Sequence, residues 1–182
     1  MTAPAFASGS DELTDLVIAA QKGDRPAFDQ LYRSHARMVH GVLMSRVPRA
    51  DVDDLVQDVF MLAMQRMASL RTPAAFGGWL AAIARTRAID HLRRQPRTTE
   101  LTEGMLEDVP ANDPDRSEVL SVLAAIERLP IAYRETLTLR FVEGMTGQEI
   151  SLKTGLTEGS VRVNLHRGMK LLRQNLGIEV KR

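Results

Sequence analysis

Arg162, His166, Arg167, Lys170 and Arg173 recur within twelve residues near the end of a 182-residue chain. Projected at about 100° per residue, they share an arc with Val163, opposite an apolar stripe of Val161, Leu165, Met169, Leu172 and Leu176. From Arg162 onward six Lys or Arg stand against Glu179 alone, in a chain whose net charge is only +1. A solvated helix face ordinarily mixes Glu with Lys to gain i,i+4 pairs, so an unmixed basic face points to phosphate attraction. The chemistry implied is binding rather than catalysis. The four histidines, His35, His40, His91 and His166, are scattered, and His35 with His40 has the wrong spacing for a two-ligand helical face. There is no cysteine, phosphate-binding Gly loop, nucleophile elbow or metalloprotease motif. No catalytic site, metal or cofactor is expected, and the chain does not read as an enzyme.

The basic arc needs elements that hold it away from the body of the protein, and the stretch "MTGQEISLKTGLTEGSVRVNLHRG", Met145 to Gly168, supplies them. Thr146 with Glu149 forms a capping box, and Met145 with Ile150 a hydrophobic staple, so a helix starts at Thr146. Gly155 ends it. Leu156 and Val161 flank a second N-cap at Thr157 in the same way, with Ser160 where a capping box would carry Glu. The pair reads as helix, short turn, helix, an arrangement in which the second helix enters a DNA groove.

Few aromatics, no alternating apolar runs and no hairpin dipeptides make the whole chain read as helical. Helices are expected near Asp11–Lys22, Pro26–Ser45, Asp51–Ala68, Ala74–Arg94, Ser117–Leu129, Tyr133–Val142, Thr146–Lys153 and Thr157–Asn175. The stretch Gln95 to Asp115 breaks the pattern, with three prolines, six acidic residues and Arg97 as its one cation. It reads as an acidic, flexible linker between two small helical domains. The longest apolar runs, "LVIAA" and "LAAIA", are too short to span a bilayer, and "MTAPAFASGS" has neither a basic start nor a long apolar segment. A soluble, cytoplasmic protein with no membrane insertion is expected.

In the N-terminal half, Asp51, Asp53 and Asp54 suit a helix start on dipole grounds. That helix would bury Val52, Leu55, Val56, Val59, Leu62 and Ala63, leaving Asp53, Asp54, Gln57, Asp58 and Gln65 outside with Met61 and Met64 among them. Adaptable methionines between carboxylates suit docking on a basic partner, although they could equally pack beneath a neighbouring segment. Further on, Arg85, Arg87, Arg93, Arg94 and Arg97 face Asp90 alone, so a second basic element closes the first domain.

Four segments, "DLVQDVF" (Asp54–Phe60), "WLAAIARTRAIDHLRR" (Trp79–Arg94), "LPIAYRETLTLRFVEGMTGQEI" (Leu129–Ile150) and "GSVRVNLHRGMKLLR" (Gly159–Arg173), together resemble bacterial RNA polymerase sigma factors of the extracytoplasmic-function group, in the family's order. The resemblance spans Leu13 to Leu176. It implies an all-α protein with a tail over residues 1–10, a region 2 domain over 11–94, a linker over 95–116, a helix-turn-helix region 4 domain over 117–177 and a tail over 178–182. Asp54, Gln57, Asp58, Phe60 and Met61 would then dock on core RNA polymerase. Arg85, Arg87, His91, Arg93 and Arg94 would contact the minus-ten promoter element, which the loop Ala68–Gly78 helps to open by capturing an unstacked base. Ser160, Arg162, Val163, His166, Arg167, Lys170 and Arg173 would contact the minus-thirty-five element. The resemblance also implies an anti-sigma factor as partner, and a linker that mimics nucleic acid inside the polymerase. Three residues depart from the family's habit: Thr154 stands for Leu before the turn Gly, Asn164 for Arg and Gly168 for Ala.

Two other readings compete. A helix-turn-helix regulator acting without polymerase would need a ligand or receiver domain, and the N-terminal half shows no strand-helix alternation. An interaction adaptor with no DNA role would need the basic face to be inert.

Overall fold

The computed structural model describes residues 9–94, 122 and 124–177, and every regular element among them is helical. The expected linker, 95–116, and the two tails, save Gly9 and Ser10, lie outside the described residues. Four helices build the first unit: α1 (Gly9–Gln21), α2 (Arg25–Met44), α3 (Val52–Arg66) and α4 (Phe76–Arg94). The last three begin where the sequence supplies a cap or a turn. Asp24 accepts from the Ala27 N–H at 3.1 Å, with Pro26 in the first turn of α2, and 3-10 turns at Arg49–Asp51 and Pro73–Ala75 lead into α3 and α4. Gln21, at the end of α1, donates to the carbonyls of Met67 and Leu70 at 3.0 and 2.8 Å, fastening the loop between α3 and α4. Leu70 of that loop and Phe76 at the start of α4 are buried, while Arg71, Thr72, Ala74 and Ala75 face solvent.

The second unit opens with helical residues 124–127, then α5 (Ile131–Leu137), α6 (Gly147–Thr154) and α7 (Glu158–Asn175). The helix expected from Tyr133 to Val142 runs as α only to Leu137 and continues as a π-helical turn, Thr138–Val142. Ala125, Leu129, Leu137 and Leu172 form this unit's own small core.

The two units do not sit apart. Leu139, Met145, Ile150 and Val161 of the second join the main core of the first, beside Met38, Val42, Phe76, Leu80 and Ala84. Composition could not disclose this, because the close approach depends on glycines. A Cβ on Gly77 would lie 2.6 Å from the Lys153 carbonyl oxygen, and one on Gly41 would lie 2.7 Å from Leu139 Cδ2. Polar groups close the same seam. Glu135, only 4% exposed, receives Arg46 at 2.5 Å and Arg85 at 2.7 Å from the other unit. His40 meets Glu143 at 2.6 Å, Arg134 reaches the Ser45 carbonyl at 3.4 Å, and Lys153 donates to the Ser34 carbonyl.

His35, also buried, hydrogen-bonds the Leu31 carbonyl at 3.1 Å and stands edge-on to Phe76. Burial, then the nearby Lys153 ammonium, outweigh that bond and lower its pKa to about 4. The native chain therefore binds fewer protons here than the unfolded one, so this contribution is whole above the unfolded value of about 6.5 and is lost as pH falls toward 4. In pH-dependent melts, His35 should account for about 3 kcal/mol of the stability lost between pH 6.5 and 4. His35→Gln keeps a donor without the titration and should flatten that limb; an unchanged acid limb would show that another group carries it.

Candidate nucleic-acid interface and docking face

The helix-turn-helix is held by the bonds its sequence calls for. The Thr146 hydroxyl accepts from the Glu149 N–H at 3.2 Å while the Glu149 carboxylate accepts from the Thr146 N–H at 2.7 Å. The Thr146 N–H, and then the Thr146 side chain, hold the Glu149 carboxyl below the usual range. Met145 and Ile150 are both buried at the staple positions. Gly155 ends α6 at φ +74°, where a side chain would also press on Gly78. Thr157 then caps α7, accepting from the Ser160 N–H at 3.1 Å, and its hydroxyl meets that of Ser160. The turn is stiffened by Ser151, whose hydroxyl donates to the Leu156 carbonyl at 2.7 Å.

Held this way, α7 turns Val161, Gly168 and Leu172 inward, with Leu165, Met169 and Leu176 half-buried. Ser160, Arg162, Val163, His166, Arg167, Lys170 and Arg173 all lie exposed on one helix. Arg140 and Gln148 extend this surface into a groove of about 1370 Å³ that also takes in Arg162, His166, Lys170 and Arg173. The groove can receive a polyanion: several cations line it, Glu158 is its acidic neighbour, and the arginine forks suit phosphate oxygens.

On the first unit, α3 buries Val52, Leu55, Val56, Val59, Phe60 and Ala63. Asp53, Asp54, Gln57 and Gln65 face solvent, with Met61 at 55% and Met64 at 56% exposure. The methionines thus lie open rather than beneath a neighbour among the described residues. Phe60, expected on the docking face, is instead 4% exposed, its ring 4.5 Å from Tyr32 and edge-on to Phe28. It anchors α3, because it stands four residues after Val56 and three before Ala63, one turn from each on the buried side. Asp58 is only partly open and is paired with Arg87.

The cations expected on α4 divide into two groups. Arg93 and Arg94 are exposed in its last turn. Arg85 is engaged by Glu135, Arg87 by Asp58, and His91 by Asp51 at 2.9 Å. Sequence reasoning missed Arg46 and Glu135 altogether. A signal existed for Glu135: it is the one acid in "ETLTL", a run whose every residue is buried. Burial alone would push its carboxyl up, but Arg85 and Arg46 outweigh that and hold it below the usual range.

The Sigma-70 region 2 family profile matches residues 31–98, and the Sigma-70 region 4 profile matches residues 120–172. The sigma-E factor of Haemophilus influenzae, an ECF RNA polymerase sigma factor, is 31% identical over 92% of this chain and 97% of its own length. BldN of Streptomyces coelicolor, another ECF sigma factor, is 32% identical over 93% of this chain and 67% of its own. The chain belongs to the ECF RNA polymerase sigma factors. CnrH, solved in complex with the cytosolic domain of CnrY, shares the fold at TM-score 0.63 and 24% identity, over 93% of this chain and all of that one. RpoE of Bartonella quintana, solved with the anti-sigma factor NepR, does so at 0.54 and 20%, over 84% and 98%.

As a sigma factor the protein is no enzyme, and no helix among its described residues is long and apolar enough to cross a membrane. Its three departures from family habit find partners in the packing. Thr154 is buried, donating to the Ile150 carbonyl at 2.5 Å and accepting from the Leu156 N–H at 3.3 Å, so a polar side chain closes the turn without an unmet group. Asn164 turns inward to Thr136 at 3.3 Å and is absent from the exposed basic arc. Gly168 lets α7 approach α5, since a Cβ there would lie 3.1 Å from Leu137 Cδ1 and from Tyr133 Cβ. Gly168→Leu should therefore destabilise the second unit by about 1–3 kcal/mol through overpacking. Chemical denaturation followed by far-UV circular dichroism checks this, and an unchanged midpoint would mean that the helices part without cost.

Proposed function

We propose that this sigma factor reads promoter DNA with two separate faces and docks on core RNA polymerase with a third. The observation that carries the reading is the unmixed basic face of α7, exposed along its length behind two satisfied caps. Arg162 and His166 lie one turn apart near the helix start, where side chains reach base edges in the major groove, and Val163 is placed to touch a thymine methyl. Arg167, Lys170 and Arg173, with Ser160, hold phosphates along the minus-thirty-five element. Arg93 and Arg94, joined by Arg85, Arg87 and His91 when these leave their carboxylate partners, serve the minus-ten element. Asp54, Gln57, Asp58 and Met61 form the polymerase-docking face, with Phe60 supporting it from within. The units span residues 11–94 and 117–177, joined through 95–116, and the protein works in the cytoplasm, where polymerase and DNA are. An anti-sigma factor is a further partner, for which the open Met61 and Met64 offer adaptable apolar contact.

Promoter-specific transcription by core polymerase that depends on added protein tests the whole reading. DNA binding that ignores polymerase would instead support a regulator acting alone. Within the holoenzyme, Arg162→Ala should cost about 1–3 kcal/mol at its matched base pair and relax preference there. Lys170→Ala should weaken all minus-thirty-five variants alike and reduce the slope of log affinity against log salt by roughly 0.9. Binding across variants at several salt concentrations separates the two, and an unchanged ranking with Arg162→Ala moves base reading elsewhere. For docking, Asp54→Arg combined with Met61→Arg should keep native helicity but abolish co-purification with core polymerase. Retained binding by the folded variant would remove this face from the docking role.

A further inference from the structure

We propose that Arg46 and Arg85 form a binding seat for a promoter-DNA phosphate, and that Glu135 of the second unit fills this seat while the two units are packed together. The proposal rests on the DNA-binding reading of the first unit and adds a residue, Arg46, and a masking group to it.

The geometry is that of a phosphate site holding a substitute. Two guanidinium groups converge from two elements of one unit, Arg46 from the turn after α2 and Arg85 from α4, on one carboxylate of the other unit. Arg85 binds both carboxylate oxygens, through Nε at 3.3 and 3.2 Å and Nη2 at 2.7 Å. Arg46 adds 2.5 Å to Oε2, and its Nε finds no acceptor among the described residues. A planar guanidinium fork grips a phosphate as it does a carboxylate, and a phosphate offers more oxygens than Glu135 has.

The substitute cannot stay when both promoter elements are read. Their names place them about 25 base pairs apart, roughly 85 Å along a duplex at 3.4 Å per step. A compact chain of this length has a radius of gyration of about 16 Å. Reading both at once requires the units to part, and parting takes Glu135 away from Arg85, on the helix that carries the minus-ten face, and from Arg46 beside it. Ile89, at 44% exposure, and Leu92, at 40%, lie one and two turns beyond Arg85 on the same side of α4. A strand whose phosphate sat at Arg46 and Arg85 would run its unstacked bases over that apolar strip.

The full chain should be titrated onto a short, labelled single-stranded oligodeoxynucleotide of mixed sequence by fluorescence anisotropy over a salt series, with small-angle scattering reporting whether the units have parted. Glu135→Gln should open the chain and raise affinity about tenfold at low salt. Its slope of log affinity against log salt should steepen by roughly 0.7 for each phosphate newly held. Adding Arg46→Ala should return both to the wild-type level. Should Glu135→Gln stay closed, Gly77→Val forces the seam apart against the Lys153 backbone, and the same comparison with and without Arg46→Ala is made there. An opened chain that gains nothing, or a gain that survives Arg46→Ala, overturns the seat. Loss of promoter-dependent transcription by the wild-type holoenzyme would strike the parent reading instead, so the two failures are distinct.

Discussion

A carboxylate enclosed between two guanidinium groups decides how the two halves of this molecule meet. Taking Glu135 out of water costs several kcal/mol, which its attraction to Arg46 and Arg85 offsets only while both remain close. Removing both arginines would leave a buried, uncompensated charge, so the seam depends on their staying close. Around that fixed point the other contacts fall into place. Gly41 and Gly77 let backbone and Leu139 approach closely, Ile150 and Met145 complete a core that begins in the first unit, and His40 finds Glu143. The hydrogen bond to Glu143 raises the His40 pKa against the opposing effect of burial. This contact favours the packed arrangement below the unfolded histidine value and fades as pH rises through the raised one.

The basic arc of α7 is spared by this packing. Every residue of the α7 arc points to solvent although Val161, in the same helix, is buried in the shared core. The division is possible because the caps at Thr146 and Thr157 fix the helix starts with side chains that take no part in the outer face. With folding assigned to the inner stripe and the caps, the outer arc is free to carry like charge, with Glu158 the acid beside it.

Much of this was legible in the sequence, for local reasons. The capping box at Thr146, the N-cap at Thr157, the staple and the turn glycine act within five residues, and all took the expected form. Helical periodicity placed the α3 faces well except at Phe60, which the family motif drew outward and ring packing against Tyr32 drew in. What the sequence could not show was long-range. Glu135 meets Arg46 across 89 residues and Arg85 across 50, and no spacing rule links them. The glycines at 41 and 77 carry no hydrophobic signal, although they admit the second unit. The same absence of local pattern hid the engagement of Arg87 and His91, which in sequence look as free as Arg93.

The pair between Asp58 and Arg87 joins the outer face of α3 to α4, with both side chains partly open to solvent. A bond of this kind is worth about 1 kcal/mol at most. A cation offered to Asp58 and an anion offered to Arg87 must each break it, and whichever arrives first spares the other that cost. Two ligands on different faces would then strengthen each other's binding up to about fivefold, reciprocally and with no movement of the backbone. A protein ligand at Asp58 and a polyanion at Arg87 would thus be coupled through one side-chain contact.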